Sequence, residues 1–276
     1  MNKIVFIYCI ILLFCACTSI KNIGYTDYEQ SIDLVYPVKN GLPVIDLSIN
    51  NKKYYAIYDT RSQQNVICKS ILNEIGIENV GDQTNITIPQ IILSNGIILY
   101  NKNFYITETY DSVAKILFGL SMFNEYNVLV SYKQDKIFFY NSGKIPIFLN
   151  SWVPIEVAYP EYGLYTYGRV EGSQKTYLFC LSTGMTVFGG IFKRHYNIVL
   201  NTSLPIVTYF KHTITIGGKK YKNSYFFNSL SEISNDDKEK HDLNNTTIDI
   251  ILGYEFFKKH DIFIDINNMK FYIGKP

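Results

Sequence analysis

One order of parts occurs twice in this chain. The stretch LFGLSMFNEYNVLV, starting at Leu117, aligns without a gap with ILGYEFFKKHDIFI, starting at Ile251. Gly119 falls on Gly253, Phe123 on Phe257, Val128-Leu129-Val130 on Ile262-Phe263-Ile264, and Lys136 on Lys270. Upstream, SNGIILYNKNFYI (94–106) is similar to IGGKKYKNSYFF (216–227), and both read as strand, Gly turn, strand. A repeat of this kind requires each half to bury a similar apolar face, which limits the chain to two related units.

Each unit opens with a polar loop behind an apolar run. Asp59-Thr60-Arg61-Ser62 ends the run Tyr54 to Tyr58, and Ser182-Thr183-Gly184-Met185 follows TYLFCL, Thr176 to Leu181. The order of strand, polar loop, hairpin, apolar-apolar-Gly and closing hairpin resembles the retropepsin-like and pepsin-like aspartic proteases in their two-lobed form, over residues 34 to 276. The resemblance implies an all-β, bilobal architecture with short helices and a cleft between the lobes. It also implies that Asp59 with Thr60, Arg61 and Ser62, and Ser182 with Thr183 and Gly184, form the two facing active-site loops.

Chemistry of that class needs two carboxylates that share a proton, one activating water and the other protonating the leaving group. Here the first loop has Asp59, but Ser182 stands where the second acid belongs, and a hydroxyl carries no charge near neutral pH. Arg61 replaces the family's Gly, whose missing side chain allows a tight turn and close approach to the opposite loop. A guanidinium beside an acid also favours its charged form. The resemblance therefore implies the fold together with weak or absent peptidase activity. Asp59 and Ser182 also fit helix-start caps, and no spacing nominates a histidine as base for a Ser182 nucleophile. The alternative of a working endopeptidase needs another acid, for which Asp249 is the nearest in the motif. A further alternative is an envelope interaction protein whose cleft is vestigial.

The N-terminus has export composition: Lys3, an apolar run from Ile4 to Leu13, then small residues in LLFCACTS. Residues 1–16 read as a signal peptide of bacterial lipoprotein type. Cys17 follows the small Ala16 and is the residue to be lipidated, with residues 17–33 as anchor site and tether. A plain secretory signal and an uncleaved anchor are the alternatives. These features place the chain in the cell envelope, held on a membrane. Of the five cysteines, Cys68 and Cys180 remain in the body, and the resemblance puts them in separate lobes, where they stay unbonded.

The charged fraction of 18% and formal net charge of +2 argue against a nucleic-acid surface. No Cys/His cluster suggests a metal, and no cofactor motif is present. Extended peptide is the ligand class such a cleft implies, since main-chain hydrogen bonds grip it without a catalytic acid.

The first lobe is expected over 34–148 and the second over 149–276. LPVIDLSINNKKYYAIYD predicts two strands joined at Asn50-Asn51, with Ile45, Leu47 and Ile49 on one face. CKSILNEIGI (68–77) predicts a short helix. The hairpin turning at Ser94-Asn95-Gly96 occupies the flap's place in the order of elements and reads equally as an ordinary sheet hairpin. The charged stretch Ser229 to Asn245 reads as a solvated loop.

Overall fold

The computed structural model describes residues 25–37, 42–77, 83–108, 114–184, 189–192, 209–230 and 248–274. The expected signal segment, Cys17, Met185 and most of the charged stretch lie outside the described residues.

The first unit contains β1 (Gln30–Val35), β2 (Val44–Ile49), β3 (Lys52–Tyr58), β4 (Val66–Cys68), α1 (Lys69–Glu74), β5 (Asn85–Leu93), β6 (Ile98–Thr107), β7 (Ile116–Phe118), β8 (Tyr126–Ser131) and β9 (Lys136–Asn141). After a 3-10 turn at Ile147–Ser151 come β10 (Pro154–Glu156), β11 (Tyr165–Val170), β12 (Tyr177–Leu181), β13 (Gly189–Phe192), β14 (Tyr209–Ile216), β15 (Lys219–Leu230), β16 (Ile250–Leu252), α2 (Tyr254–Phe257), β17 (Ile262–Asp265) and β18 (Lys270–Ile273). The protein is thus all-β with short helices, as the repeat predicts.

Local chemistry accounts for the joints. Asn50 and Asn51 both adopt positive φ (49° and 63°), the left-handed pair that a two-residue hairpin needs and that asparagine tolerates. Ile45, Leu47 and Ile49 of β2 are buried, whereas Asp46 and Ser48 are half-buried. Helix α1 falls within the segment expected to be helical and buries Ile71 and Leu72.

The two units repeat one pairing scheme. In the first, β3 runs parallel to β7, β7 antiparallel to β4, and β4 parallel to β6. In the second, β12 runs parallel to β16, β16 antiparallel to β13, and β13 parallel to β15. The units join through an antiparallel pair, β8 with β17, in which Leu129 faces Phe263 and the flanks pair Val128 with Ile264 and Val130 with Ile262. The segments that align in sequence therefore pair with each other in space, as an approximate twofold axis between Leu129 and Phe263 requires.

This pair is the centre of a six-stranded run, β10-β18-β17-β8-β9-β1, built from both units. Strand alternation gives it two faces. Val128, Val130, Ile137, Phe139, Ile262 and Ile264 join the main core, whereas Leu129, Phe138, Tyr140 and Phe263 pack on the other side beneath Tyr25, Phe148, Leu149 and Trp152.

One expectation is revised, and one of two open readings is decided. The segment read as a tether is ordered from Tyr25: that residue is buried, its hydroxyl donates to the Asp261 carboxylate, and β1 begins at Gln30, because Ile32 and Leu34 supply a buried alternation too short to stand out in the sequence. The hairpin turning at Ser94–Gly96 does not present its turn to Asp59. Ser94 N donates to Asp46 O and Asn95 Nδ2 to Ser31 O, whereas Tyr105, at the opposite end of β6, binds the Asp59-side loop through Tyr105 N to Asn65 O. It is a sheet hairpin, and order of elements alone cannot tell which end of a hairpin faces a site.

Candidate functional site

Both loops leave their sheets in the same way. Tyr58 and Leu181 are the last ladder residues beside Phe118 and Leu252. One residue on, Asp59 N donates to Phe118 O at 2.9 Å and Ser182 N donates to Leu252 O at 2.9 Å. Ser182 therefore occupies the place in the second unit that Asp59 occupies in the first.

The threonines lock the loops together. Thr60 N donates to Thr183 Oγ1 (3.1 Å) and Thr183 N to Thr60 Oγ1 (3.3 Å), while each hydroxyl donates to the strand opposite: Thr60 Oγ1 to Leu181 O (2.6 Å) and Thr183 Oγ1 to Tyr58 O (2.7 Å). Both side chains are buried, so each hydroxyl satisfies backbone groups that would otherwise be left without partners. Valine in place of either threonine would keep the shape and break two of these bonds.

Asp59 is 2% exposed and its carboxylate is well occupied. Oδ1 accepts from Ser182 Oγ (2.9 Å), Arg61 N (3.0 Å) and Gly184 N (3.4 Å), and Oδ2 lies 3.5 Å from Arg61 Nε. Gly184 is needed for this approach: a Cβ there would lie 2.6 Å from Asp59 Cβ. Around the acid, burial pushes the hydroxyls of Tyr58, Tyr132 and Tyr165 far above the usual tyrosine range and the Cys180 thiol up to about 12. All four stay protonated, so none serves as a base.

Arg61 fits without the distortion that its place in a glycine position suggests. Its φ is not positive, and the turn closes normally, with Ser62 N donating to Asp59 O at 3.2 Å. The close approach is made from the other unit. Gly163, with φ +154°, packs where a Cβ would lie 2.2 Å from Arg61 O. Leu164 N donates to Thr60 O (2.7 Å), Gln63 N to Tyr162 O (2.8 Å), and the Tyr165 hydroxyl to Arg61 O (3.2 Å).

The structure thus brings Asp59, Thr60, Arg61, Ser182, Thr183 and Gly184 together. Ser62 turns to its own loop, its hydroxyl donating to Gln64 O at 2.8 Å. Asp249 takes no part: its carboxylate accepts from Leu178 N (2.8 Å), at the other end of β12 from Ser182. No motif or spacing pointed directly to Tyr132, Asn65 or Gly163. The Tyr132 hydroxyl donates to Thr183 O (2.8 Å), and Asn65 Oδ1 accepts from Gly119 N (3.0 Å), holding the apolar-Gly segment against the first loop. Continuing the alternation Val128, Val130 would have placed Tyr132 on the inner face. Asn65 and Gly163 had no local pattern. Cys68 and Cys180 are both buried, and neither forms a disulfide among the described residues. Among the described residues no three His, Cys, Asp or Glu side chains gather as metal ligands would.

No family model matches the chain, and no curated protein does. Among solved structures, the crystal structure of an aspartic proteinase from Irpex lacteus is similar over 89% of this chain and 97% of that one, with a TM-score of 0.56 and 8% sequence identity. The likeness is one of fold: this chain has the bilobal aspartic-protease architecture.

Proposed function

We propose that this protein is a lipid-anchored envelope protein that uses the bilobal aspartic-protease fold to hold an extended peptide between its lobes, without hydrolysing it. The observation that carries this reading is the state of Asp59. Activating water requires a carboxylate free to accept a proton and a second acid to donate one. Asp59 Oδ1 already takes three donors, Oδ2 faces a guanidinium, and the position opposite holds a hydroxyl. The Ser182 O–H stands where a shared proton would stand in a pair of acids, but it is not released near neutral pH.

Binding makes no such demand. A strand-like peptide is held by main-chain hydrogen bonds, with side-chain pockets setting preference. The anchoring part of the reading rests on the N-terminal sequence: Lys3, the apolar run to Leu13, and Cys17 after Ala16.

The test is selection from a display library of random extended peptides with the purified protein, followed by amide exchange on the complex. Recovery of intact peptides that slow exchange at residues 59–65 and 182–184 supports the proposal. Absence of any selected peptide, from protein that is folded by near-UV circular dichroism, overturns peptide binding and favours a vestigial cleft.

A further inference from the structure

The outer face of the six-stranded run is covered by few side chains, and that cover ends in exposed apolar groups. Tyr25 packs tilted against Phe148 (5.0 Å between centroids), and edge-to-face contacts join Phe148 to Tyr140 (6.0 Å) and Tyr28 to Phe138 (5.0 Å) and Tyr140 (6.4 Å). Tyr28, which packs on this layer, is 43% exposed, and Ile145 and Ile147, which flank Pro146 just before Phe148 in the chain, are 46% and 76% exposed. Ile147 does not sit on a loose loop. It starts the 3-10 turn whose Leu149 is buried, and Asn127 Nδ2 ties the preceding segment by donating to Ser142 O and Lys144 O. A rigidly presented apolar margin beside aromatic side chains is typical of surfaces that meet another apolar phase.

Chain length says which phase. Tyr25 is fixed to this face and lies eight residues after Cys17. Fully extended, that span is at most about 28 Å. Resting on the anchoring reading above, we infer that the outer face carrying Tyr28, Ile145 and Ile147 lies against the lipid bilayer that holds Cys17. A tether this short makes contact effectively intramolecular, so even weak partition of the patch suffices. The exposed charges next to Tyr28 and Ile145 in the chain are mixed, Asp27 and Glu29 beside the first and Lys144 beside the second, so insertion is apolar and not an attraction to anionic lipid.

The orientation has a functional result. Leu129 and Phe263 point to the outer face, whereas Val128, Val130 and Tyr132 point inward, and Tyr132 reaches the Asp59–Ser182 loops through Thr183 O. With the outer face on lipid, the paired loops lie on the side turned away from the bilayer.

The test uses the full chain, expressed with its N-terminal segment, extracted in detergent and reconstituted into phosphatidylcholine vesicles. Mass spectrometry of the N-terminal peptide reads acylation of Cys17. Nitroxide labels on Ile147→Cys and, as a control on β6, Tyr100→Cys are compared for relaxation by oxygen and by a water-soluble nickel chelate; Cys68 and Cys180 are buried. The expected result is an acylated Cys17, a label at 147 relaxed more by oxygen than by chelate, and the reverse at 100, unchanged by added salt. Acylated Cys17 with both labels equally open to chelate overturns the orientation and leaves the anchor standing. Unmodified Cys17 overturns the anchoring reading and this inference with it.

Discussion

Ser182 Oγ donates to Asp59 Oδ1 across 2.9 Å, the place where two acids of a catalytic pair would share a proton. A neutral donor there satisfies the carboxylate without like-charge repulsion, and Arg61 supplies the opposite charge.

Restoring the acid should therefore harm stability first. In Ser182→Asp, two buried carboxylates meet at hydrogen-bond distance, at a cost of about 2 kcal/mol at pH 7. The pair binds a proton more readily folded than unfolded, so the loss should shrink as pH falls toward about 4. Thermal melts of the variant and wild type across this range check both size and sign.

Removing Asp59 tests the same network from the other side. Asp59→Ala leaves Ser182 Oγ and the Arg61 and Gly184 N–H groups without their acceptor and breaks the contact with the partly exposed Arg61, which should cost about 2–4 kcal/mol, mostly from the buried donors. Asp59→Asn keeps a carbonyl oxygen at Oδ1 and should cost roughly 1–2 kcal/mol. Urea denaturation of both variants decides whether the carboxylate is mainly a structural acceptor.

Two glycines hold the loops in contact. An alanine Cβ at Gly163 would lie 2.2 Å from Arg61 O on a backbone of φ +154°, and one at Gly184 would lie 2.6 Å from Asp59 Cβ. Gly163→Ala and Gly184→Ala should each destabilise by about 1–3 kcal/mol or more, whereas Gly172→Ala, with open space, should show only the milder cost of its φ +84°. Parallel denaturation curves check the ranking.

His260 sets an acid limit. It is 5% exposed, lies 4.6 Å from the Phe256 ring, and places Nδ1 3.1 Å from Gly274 O. Burial, helped by Lys133, Lys219 and Lys259, pulls it down to about 4. Between about pH 6.5 and 4 the unfolded chain binds a proton that the folded chain refuses, so stability falls on acidification by up to about 1.4 kcal/mol per pH unit. His260→Phe should remove that slope even if it is less stable at pH 7, as unfolding free energies at pH 4.5 and 7 would show.

The fold was legible because the repeat is carried by side chains with strong positional demands. Gly119 and Gly253 end equivalent strands, the Asn50-Asn51 pair fixes a hairpin, and the apolar triplets at 128–130 and 262–264 pair about the axis they imply. The site was half legible. Asp59 and Ser182 could be matched through their motifs, but Arg61's accommodation depends on Gly163, about a hundred residues away, whose role appears only once the units are folded together. The direction of the β5–β6 hairpin was not legible either, since a strand-turn-strand pattern has the same period from both ends.

The most direct test of the central claim is hydrolysis. Purified protein is incubated with an unstructured protein mixture from pH 3 to 7.5, beside Asp59→Asn and with a transition-state-mimicking aspartic-protease inhibitor. The proposed reading predicts no cleavage by either form wherever the protein remains folded. Cleavage by the wild type that disappears in Asp59→Asn and with the inhibitor would contradict it, because Asp59 would then be acting with a proton donor other than Ser182.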